Sequence, residues 1–138
     1  MTMRDLAHDL GLTPAISAIT VSDNTAQVGA IIDMKGFSSI MFAINVGLVA
    51  DAAGVFTVLL EDGDDSGLSD AAAVDDSFLI ETEADASWTQ ATQSTARKLG
   101  YIGYKRYLRV TVTPTTNAAA CTFAVTAVKG HPRNAPVA

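Results

Sequence analysis

Short stretches in which apolar and polar residues alternate, separated by turn sequences, constrain the fold of this chain more than any other feature. Such alternation is typical of a β-strand with one buried face. Three stretches alternate most clearly, and their inward-facing residues are expected to be Ile40, Phe42, Ile44 and Val46; Phe56, Val58 and Leu60; and Leu108, Val110 and Val112. These residues predict a core between packed sheets.

About seven or eight short strands, with no helical pattern of about twelve residues, predict an all-β, jelly-roll-like β-sandwich. We expect an extended N-terminal arm at residues 1–14, the sandwich at 15–131 and a C-terminal tail at 132–138. The last strand, at 119–128, is expected to pair with the preceding one, at 107–113, as a hairpin. The acid-rich stretch 61–76 reads as a loop, and 84–98 gives no clear prediction.

Charge is segregated along the sequence. All fifteen acidic residues lie between Asp5 and Asp85, where Arg4 and Lys35 are the two basic residues. Residues 86–138 contain seven bases and no acid, and the whole chain carries a net charge of −6. Either the fold interleaves the two halves and mixes their charges, or separate acidic and basic regions meet different neighbours. The sequence leaves both alternatives open.

No motif marks an active site. His8 and His131 lie near opposite ends of the chain, and neither a Gly-x-Ser-x-Gly elbow nor a His-Glu-x-x-His helix occurs. The single cysteine, Cys121, cannot form an intrachain disulfide, and its alternating apolar surroundings predict a small core residue. We therefore predict neither an enzyme nor a cofactor.

One acidic segment partly matches the start of a calcium-binding loop. Residues 62–67 supply carboxylates and glycines at suitable spacing, but Ala73 occupies the position where a bidentate glutamate is required. This favours a solvated acidic turn and predicts no metal site within the chain. A cation shared between subunits stays open, because seven carboxylates within residues 61–76 repel one another.

Residues 101–109 mix aromatic and basic side chains, a combination found where proteins bind single-stranded nucleic acid. However, Tyr104 and Tyr107 have opposite strand parity and need not form one stacking platform. The acidic balance of the chain also opposes binding to a polyanion. We expect structural tyrosines and no nucleic-acid partner.

The N-terminal residues 1–9 carry acids and lack the apolar segment of a signal peptide. No stretch approaches the uninterrupted apolar length of about 18 residues that a membrane span needs. The sequence therefore predicts a protein made in a cytoplasm, with no membrane partner.

Four groups of residues resemble a family of small tailed-phage proteins encoded among head genes, whose characterised members include head cement (decoration) proteins. The matching segments are Met3–Ala7 with Thr13–Ile16, Asp33–Ser39, Gly100–Val110 and Lys129–Val137. The resemblance covers most of the chain, and the acidic loop and residues 84–98 match least.

This resemblance implies a jelly-roll subunit that sits on the outside of the phage head, assembled in the bacterial host cytoplasm. Its partners would be the major capsid protein and further copies of itself, as a homodimer or a trimer. It would bridge neighbouring capsomers and stabilise the head. No catalytic residue or cofactor comes with the resemblance.

Six residues are candidates for partner contacts, with Leu6 and Leu10 anchoring the arm and the bases meeting acidic capsid surface: Leu6, Leu10, Lys105, Arg106, Arg109 and Arg133. One alternative is a structural protein of the phage tail or of the head–tail connector. Another is a carbohydrate-binding module in which Trp88 and the tyrosines stack on sugars.

Overall fold

The computed structural model describes residues 4–137, so the predicted arm's first three residues and the last residue of the predicted tail lie outside it. The elements are β1 Gly11–Val21, β2 Gln27–Val28, β3 Ile32–Asp33, β4 Phe37–Val49, β5 Val55–Gly63, β6 Ala72–Ala73, β7 Leu79–Ile80, α1 Glu83–Ala86, β8 Trp88–Thr89, β9 Ala96–Tyr101, β10 Tyr107–Thr115 and β11 Cys121–Pro132, with 3₁₀ turns at Ala7–Asp9, Asp76–Phe78 and Gln90–Thr92. Among the described residues, no helix has the length and apolar character that crossing a membrane would require.

Two antiparallel sheets make up the fold. One has the strand order β1-β11-β4-β9-β7, and the other has the order β2-β10-β5-β6, with β3 also on β10 and β8 also on β5. If β2 with β3 and β6 with β8 are each taken as one interrupted edge strand, the sheets have the orders β1-β11-β4-β9 and β2/β3-β10-β5-β6/β8, which is the strand order of a jelly roll, with the short β7 added beside β9. The predicted fold class is therefore confirmed.

The core lies between the two sheets and consists of the predicted alternating side chains. Phe42 and Ile44 of β4, Phe56 of β5, and Leu108 and Val110 of β10 are all at most 1% exposed. Each strand thus buries every second residue, as a sandwich core requires. The inward residues predicted for β4, β5 and β10 are confirmed.

The predicted hairpin between the last two strands is wrong. Strand β10 pairs with β5, whereas β11 pairs with β1 and β4 in the opposite sheet. The short connection after β10 crosses from one sheet to the other, so the apolar faces of β10 and β11 face each other across the core. Alternation identifies a buried face, but it does not identify the hydrogen-bonded neighbour.

The boundary of the N-terminal arm also differs from the prediction. Strand β1 begins at Gly11 rather than at residue 15, and Leu12 and Thr13 already pair with Val128 and Ala127 of β11. The backbone therefore finds sheet partners earlier than Pro14 suggested, since proline is tolerated on an edge strand.

The terminal segments are held against the sandwich by main-chain hydrogen bonds. The amide of Val137 donates to the carbonyl of His8 at 2.8 Å, and the amide of Arg133 donates to the carbonyl of Gly36 at 2.9 Å. The predicted tail from residue 132 onward and the residues before β1 thus lie side by side. Both segments border the five-stranded sheet.

The region that the sequence left undefined forms a cap on the core. Thr82 caps the N-terminus of α1. Its hydroxyl accepts from the amide of Asp85, and the Asp85 carboxylate accepts from the amide of Thr82. This reciprocal capping fixes a single helical turn. The turn delivers Trp88, 2% exposed, into the core.

Candidate interaction surfaces

The outward side of the five-stranded sheet is almost free of charge, and we call it the outer sheet face. It is formed by alternate residues of the strands, namely Leu12, Pro14 and Thr20; Thr122, Ala124, Thr126 and Val128; Ser39, Met41, Ala43 and Asn45; and Ala96, Lys98 and Gly100. Lys98 is the one charged side chain in this set. All fifteen acids lie elsewhere in the chain. Such a surface can be desolvated by a partner at little electrostatic cost.

An apolar groove of about 700 Å³ borders the outer sheet face. Leu6 and Leu10 line one side, Met41 and Val128 lie within it, and Pro132 of the terminal segment also contributes. Leu6 is 65% exposed, whereas Leu10 is half-buried. The structure thus brings the two predicted anchor leucines together on their own domain, at the rim of the outer sheet face.

Three of the predicted partner-binding bases are ion-paired within the chain. Lys105 Nζ lies 2.7 Å from an Asp64 carboxylate oxygen, and Arg109 Nη2 lies 3.2 Å from Glu61 Oε1. Arg106 donates to both oxygens of Asp33, at 2.8 and 3.0 Å. The basic half of the sequence therefore meets the acidic half inside one domain, and the interleaving alternative holds at these positions. Reversing Lys105 or Arg106 would place two negative charges side by side.

The pair of Arg106 and Asp33 is the best formed of these contacts. Its geometry is bidentate, which is the strong form of an arginine–carboxylate pair. The hydrogen bonds from Arg106 lower the pKa of Asp33 from its usual 3.8 to about 2, despite the opposing effect of partial burial. Asp33 also accepts from the amide of Lys35 at 2.9 Å, so one carboxylate shapes the turn before β4 and receives the arginine.

A buried tyrosine supports the loop that carries these bases. Tyr101 Oη donates to Asp62 at 2.6 Å and accepts from the amide of Lys105 at 3.0 Å. Burial and the neighbouring Asp62 raise the pKa of Tyr101, so the hydroxyl keeps its proton. Glycine is required at position 103 because the Tyr101 ring occupies the space of a Cβ. The loop 102–106 is consequently held in one conformation.

Apolar side chains project from this loop. Tyr104 is 79% exposed and Ile102 is 58% exposed. The Tyr104 ring meets the edge of Phe78 with centroids 5.9 Å apart, and Lys105 Nζ lies 5.5 Å from its centre. Tyrosine is among the residues that protein interfaces favour, so the exposed Tyr104 ring suits a contact with a partner.

Two further bases stand beside this loop, and one of them was not singled out in the sequence. Lys35 follows the turn at Asp33, and Arg133 follows β11. Both are exposed, and neither belongs to an ion pair within residues 4–137. Together with Lys105 and Arg106 they line a groove of about 630 Å³, which we call the basic groove. Its remaining lining includes Met34, Phe37, Tyr101, Ile102 and Tyr104.

The acidic loop uses its carboxylates to fold itself. Asp70 accepts from the amides of Asp64 and Asp65 at 2.8 and 3.1 Å, and Asp65 accepts from those of Gly67 and Ser69 at 2.9 and 3.2 Å. These hydrogen bonds lower the pKa of both Asp65 and Asp70. Within the described part of the chain, no three potential ligands gather around one point.

Trp88 is not available to a ligand. Its ring stacks on Phe56 with centroids 5.4 Å apart and meets the edge of Phe123 at 5.1 Å. The predicted sugar-stacking role of Trp88 is therefore wrong, because the adjoining sheet strands bury the ring completely. Cys121 is also buried in this core, as expected.

Comparison with known proteins gives no family assignment. No protein-family model matches the sequence, and no curated protein matches it either. The resemblance to head cement proteins therefore depends on the four sequence segments alone.

Several solved structures are similar to this chain at low identity and low TM-score. A pilus protein of Bacillus endospore appendages has 13% identity and a TM-score of 0.47, with 94% of this chain and 98% of that chain covered. A chain of the cyanophage Pam1 capsid has 11% identity and a TM-score of 0.47, covering 96% and 93%. A xylanase fragment from Clostridium thermocellum has 12% identity and a TM-score of 0.43, covering 96% and 28%. None of these similarities assigns a partner or a ligand.

Proposed function

We propose that this chain is a non-enzymatic structural protein of a tailed-phage head, a cement protein that binds the outside of the major capsid protein shell. The four resembling sequence segments support the family, and the jelly roll agrees with the fold that the resemblance implies. In this proposal the protein bridges neighbouring capsomers and functions at the exterior of the virion.

The observation that carries the proposal is the outer sheet face. The spacing of its four strands and the rise per residue give it a width of about 19 Å and a length of about 30 Å, or roughly 600 Å². Specific protein–protein interfaces bury about 600–1,000 Å² on each partner, so this face reaches the lower end of that range before the neighbouring groove is added. With Lys98 as its one charged side chain, the face loses little hydration when a capsid surface covers it.

The apolar groove extends this surface. Met41 and Val128 belong both to the groove and to the outer sheet face. Leu6 and Leu10 line the same groove. The predicted anchoring role of the two leucines therefore fits a single continuous contact area. In the proposal, many copies bound to one shell hold capsomers together by avidity rather than by high affinity at each site.

The experiment is co-sedimentation of the purified protein with assembled shells of the major capsid protein of the same phage. We expect stoichiometric binding, and we expect Thr126→Arg to abolish it, because Thr126 lies mid-strand on β11 at the centre of the outer sheet face. An arginine there would be buried without a partner charge.

Thr113→Arg is the matched control. Thr113 is also half-buried and mid-strand, but it lies on β10 opposite Thr57, on the outward side of the other sheet. It should bind shells like the wild type. Absence of wild-type binding would reject the cement function, and equal loss in both variants would reject the outer sheet face as the contact.

Oligomeric state tests the main structural alternative. A cement protein should be a homodimer or a trimer in solution, whereas a connector protein should form a larger closed ring. Native mass spectrometry of the free protein distinguishes them, and ring-sized assemblies would favour the connector.

A further inference from the structure

We propose that the basic groove binds a short extended segment of a partner protein that carries a carboxylate between apolar side chains. This goes beyond the shell contact assigned to the outer sheet face and does not depend on it. A peptide segment matches the groove because basic side chains and projecting apolar residues line it together.

The groove has walls that are fixed before any partner arrives. The amide of Met34 donates to the carbonyl of Arg106 at 2.9 Å, and the Arg106 guanidinium donates to both carboxylate oxygens of Asp33. The amide of Arg133 is bound to the carbonyl of Gly36. Three separate parts of the chain are thus locked together, and a partner would not have to order them.

The charge in the groove has the opposite sign to the chain. Lys105 and Arg106 are neutralised by Asp64 and Asp33, but Lys35 and Arg133 have no carboxylate partner among the described residues. Their two positive charges stand out on a protein of net charge −6. A partner carboxylate placed between them gains charge-assisted hydrogen bonds.

The apolar side chains of the groove favour a partner segment with apolar residues on both sides of that carboxylate. Met34, Phe37, Ile102 and Tyr104 face the groove, and Ile102 and Tyr104 are among the most exposed large apolar side chains of the molecule. Apolar residues on a bound segment would cover them and remove them from water. An acidic residue flanked by leucine or aromatic residues therefore matches the groove at each contact.

A nucleic acid matches it less well. Asp62 and Asp64 lie beside Tyr101 and Lys105 at one end of the groove. A phosphate backbone continuing past the groove would meet these carboxylates and the acidic loop that follows them, whereas a short peptide with one carboxylate would not.

The test is an array of capped octapeptides that vary in the number of acidic and apolar residues, probed with the labelled full-length protein. Signal should concentrate on peptides with one or two glutamates beside apolar residues and vanish when glutamine replaces glutamate. The double variant Lys35→Glu/Arg133→Glu should bind at least about tenfold more weakly, and so should the neutral pair Lys35→Gln/Arg133→Gln.

The single variant Lys35→Glu should also weaken binding. Lys98→Glu supplies its control, since it makes the same charge change at an exposed lysine that does not line the basic groove. It should leave the array pattern unchanged, and circular dichroism should show all variants folded. Equal signal on glutamine peptides, equal loss in Lys98→Glu, or stronger signal on oligonucleotide spots would each overturn the proposal. Shell co-sedimentation is measured separately, so the two proposals can fail independently.

Discussion

Arg106 and Asp33 are separated by 73 residues in the sequence, and their side chains form a two-point ion pair that joins the loop before β10 to the turn before β4. The pair belongs to the fold of the free protein. It therefore stabilises the edge where β3 lies on β10, which gives Arg106 a structural role in the free protein.

Acid should weaken this edge of the fold. Hydrogen bonds from Arg106 lower the pKa of Asp33 to about 2 in the folded state, against an ordinary value of 3.8. The pair therefore stabilises the protein fully above about pH 4, and its contribution is lost as the pH falls towards 2. Thermal unfolding followed by circular dichroism at a series of pH values should show the melting temperature falling in that window.

Asp33→Asn isolates this contribution. The variant should melt below the wild type at pH 7, and the difference should shrink as the pH approaches 2 because the wild-type carboxylate is then protonated too. Asp76→Asn is the control, because Asp76 is an exposed acid that belongs to no ion pair within residues 4–137. A constant difference between Asp33→Asn and the wild type at every pH would contradict the assignment.

The alternation of apolar and polar residues predicts part of this structure. It identifies the buried faces of β4, β5 and β10, because the alternation of side chains along a strand is a local property. It could not show that β10 pairs with β5, and the meeting of Arg109 with Glu61 follows from that pairing. The sequence therefore left open whether the segregated charges mix in the fold or form separate regions.

The outer sheet face could not be predicted either, because it depends on which strands are neighbours. The lack of charge at alternate positions of β4 and β11 is visible in the sequence, but their side-by-side arrangement is not. Lys35 was not predicted as a binding residue for a similar reason. It lies in a turn, and only the fold brings it close to Arg133.

Trp88 should be the side chain whose loss costs most. It is 2% exposed and contacts Phe56 and Phe123 on opposite sheets. Trp88→Ala should lower the free energy of unfolding by about 3–5 kcal/mol, the range for truncating a buried aromatic residue. Urea unfolding monitored by circular dichroism measures this.

Phe78→Ala is the companion measurement, because Phe78 is an aromatic residue that is 37% exposed. It should cost about 1 kcal/mol or less. A loss for Trp88→Ala no larger than that for Phe78→Ala would show that the Trp88 ring is not part of the core.

Cys121 should be unreactive in the folded protein. Burial raises the pKa of its thiol, so little thiolate forms at neutral pH and reagents cannot reach the sulfur. A disulfide-exchange reagent should label the native protein slowly and label it stoichiometrically in urea. Rapid native labelling would mean that β11 opens readily at its first residue.

Tyr101→Phe should loosen the loop 102–106 without unfolding the sandwich. The change removes the acceptor of the Lys105 amide and the donor to Asp62, at a cost of about 1–2 kcal/mol for a buried hydrogen bond. Hydrogen exchange at the Lys105 amide should speed up. Tyr104→Phe, at a ring that is 79% exposed, should leave that exchange rate unchanged.

Strand β1 forms the exposed edge of the five-stranded sheet, and Pro14 together with irregular register at 14–16 and 16–19 interrupts its pairing pattern. A straight, regular edge would offer its amides and carbonyls to the edge of another molecule. Interruptions of this kind discourage edge-to-edge pairing of sheets and their growth into fibrils. Crowding of many copies at high local density therefore carries little risk of fibril growth through β1.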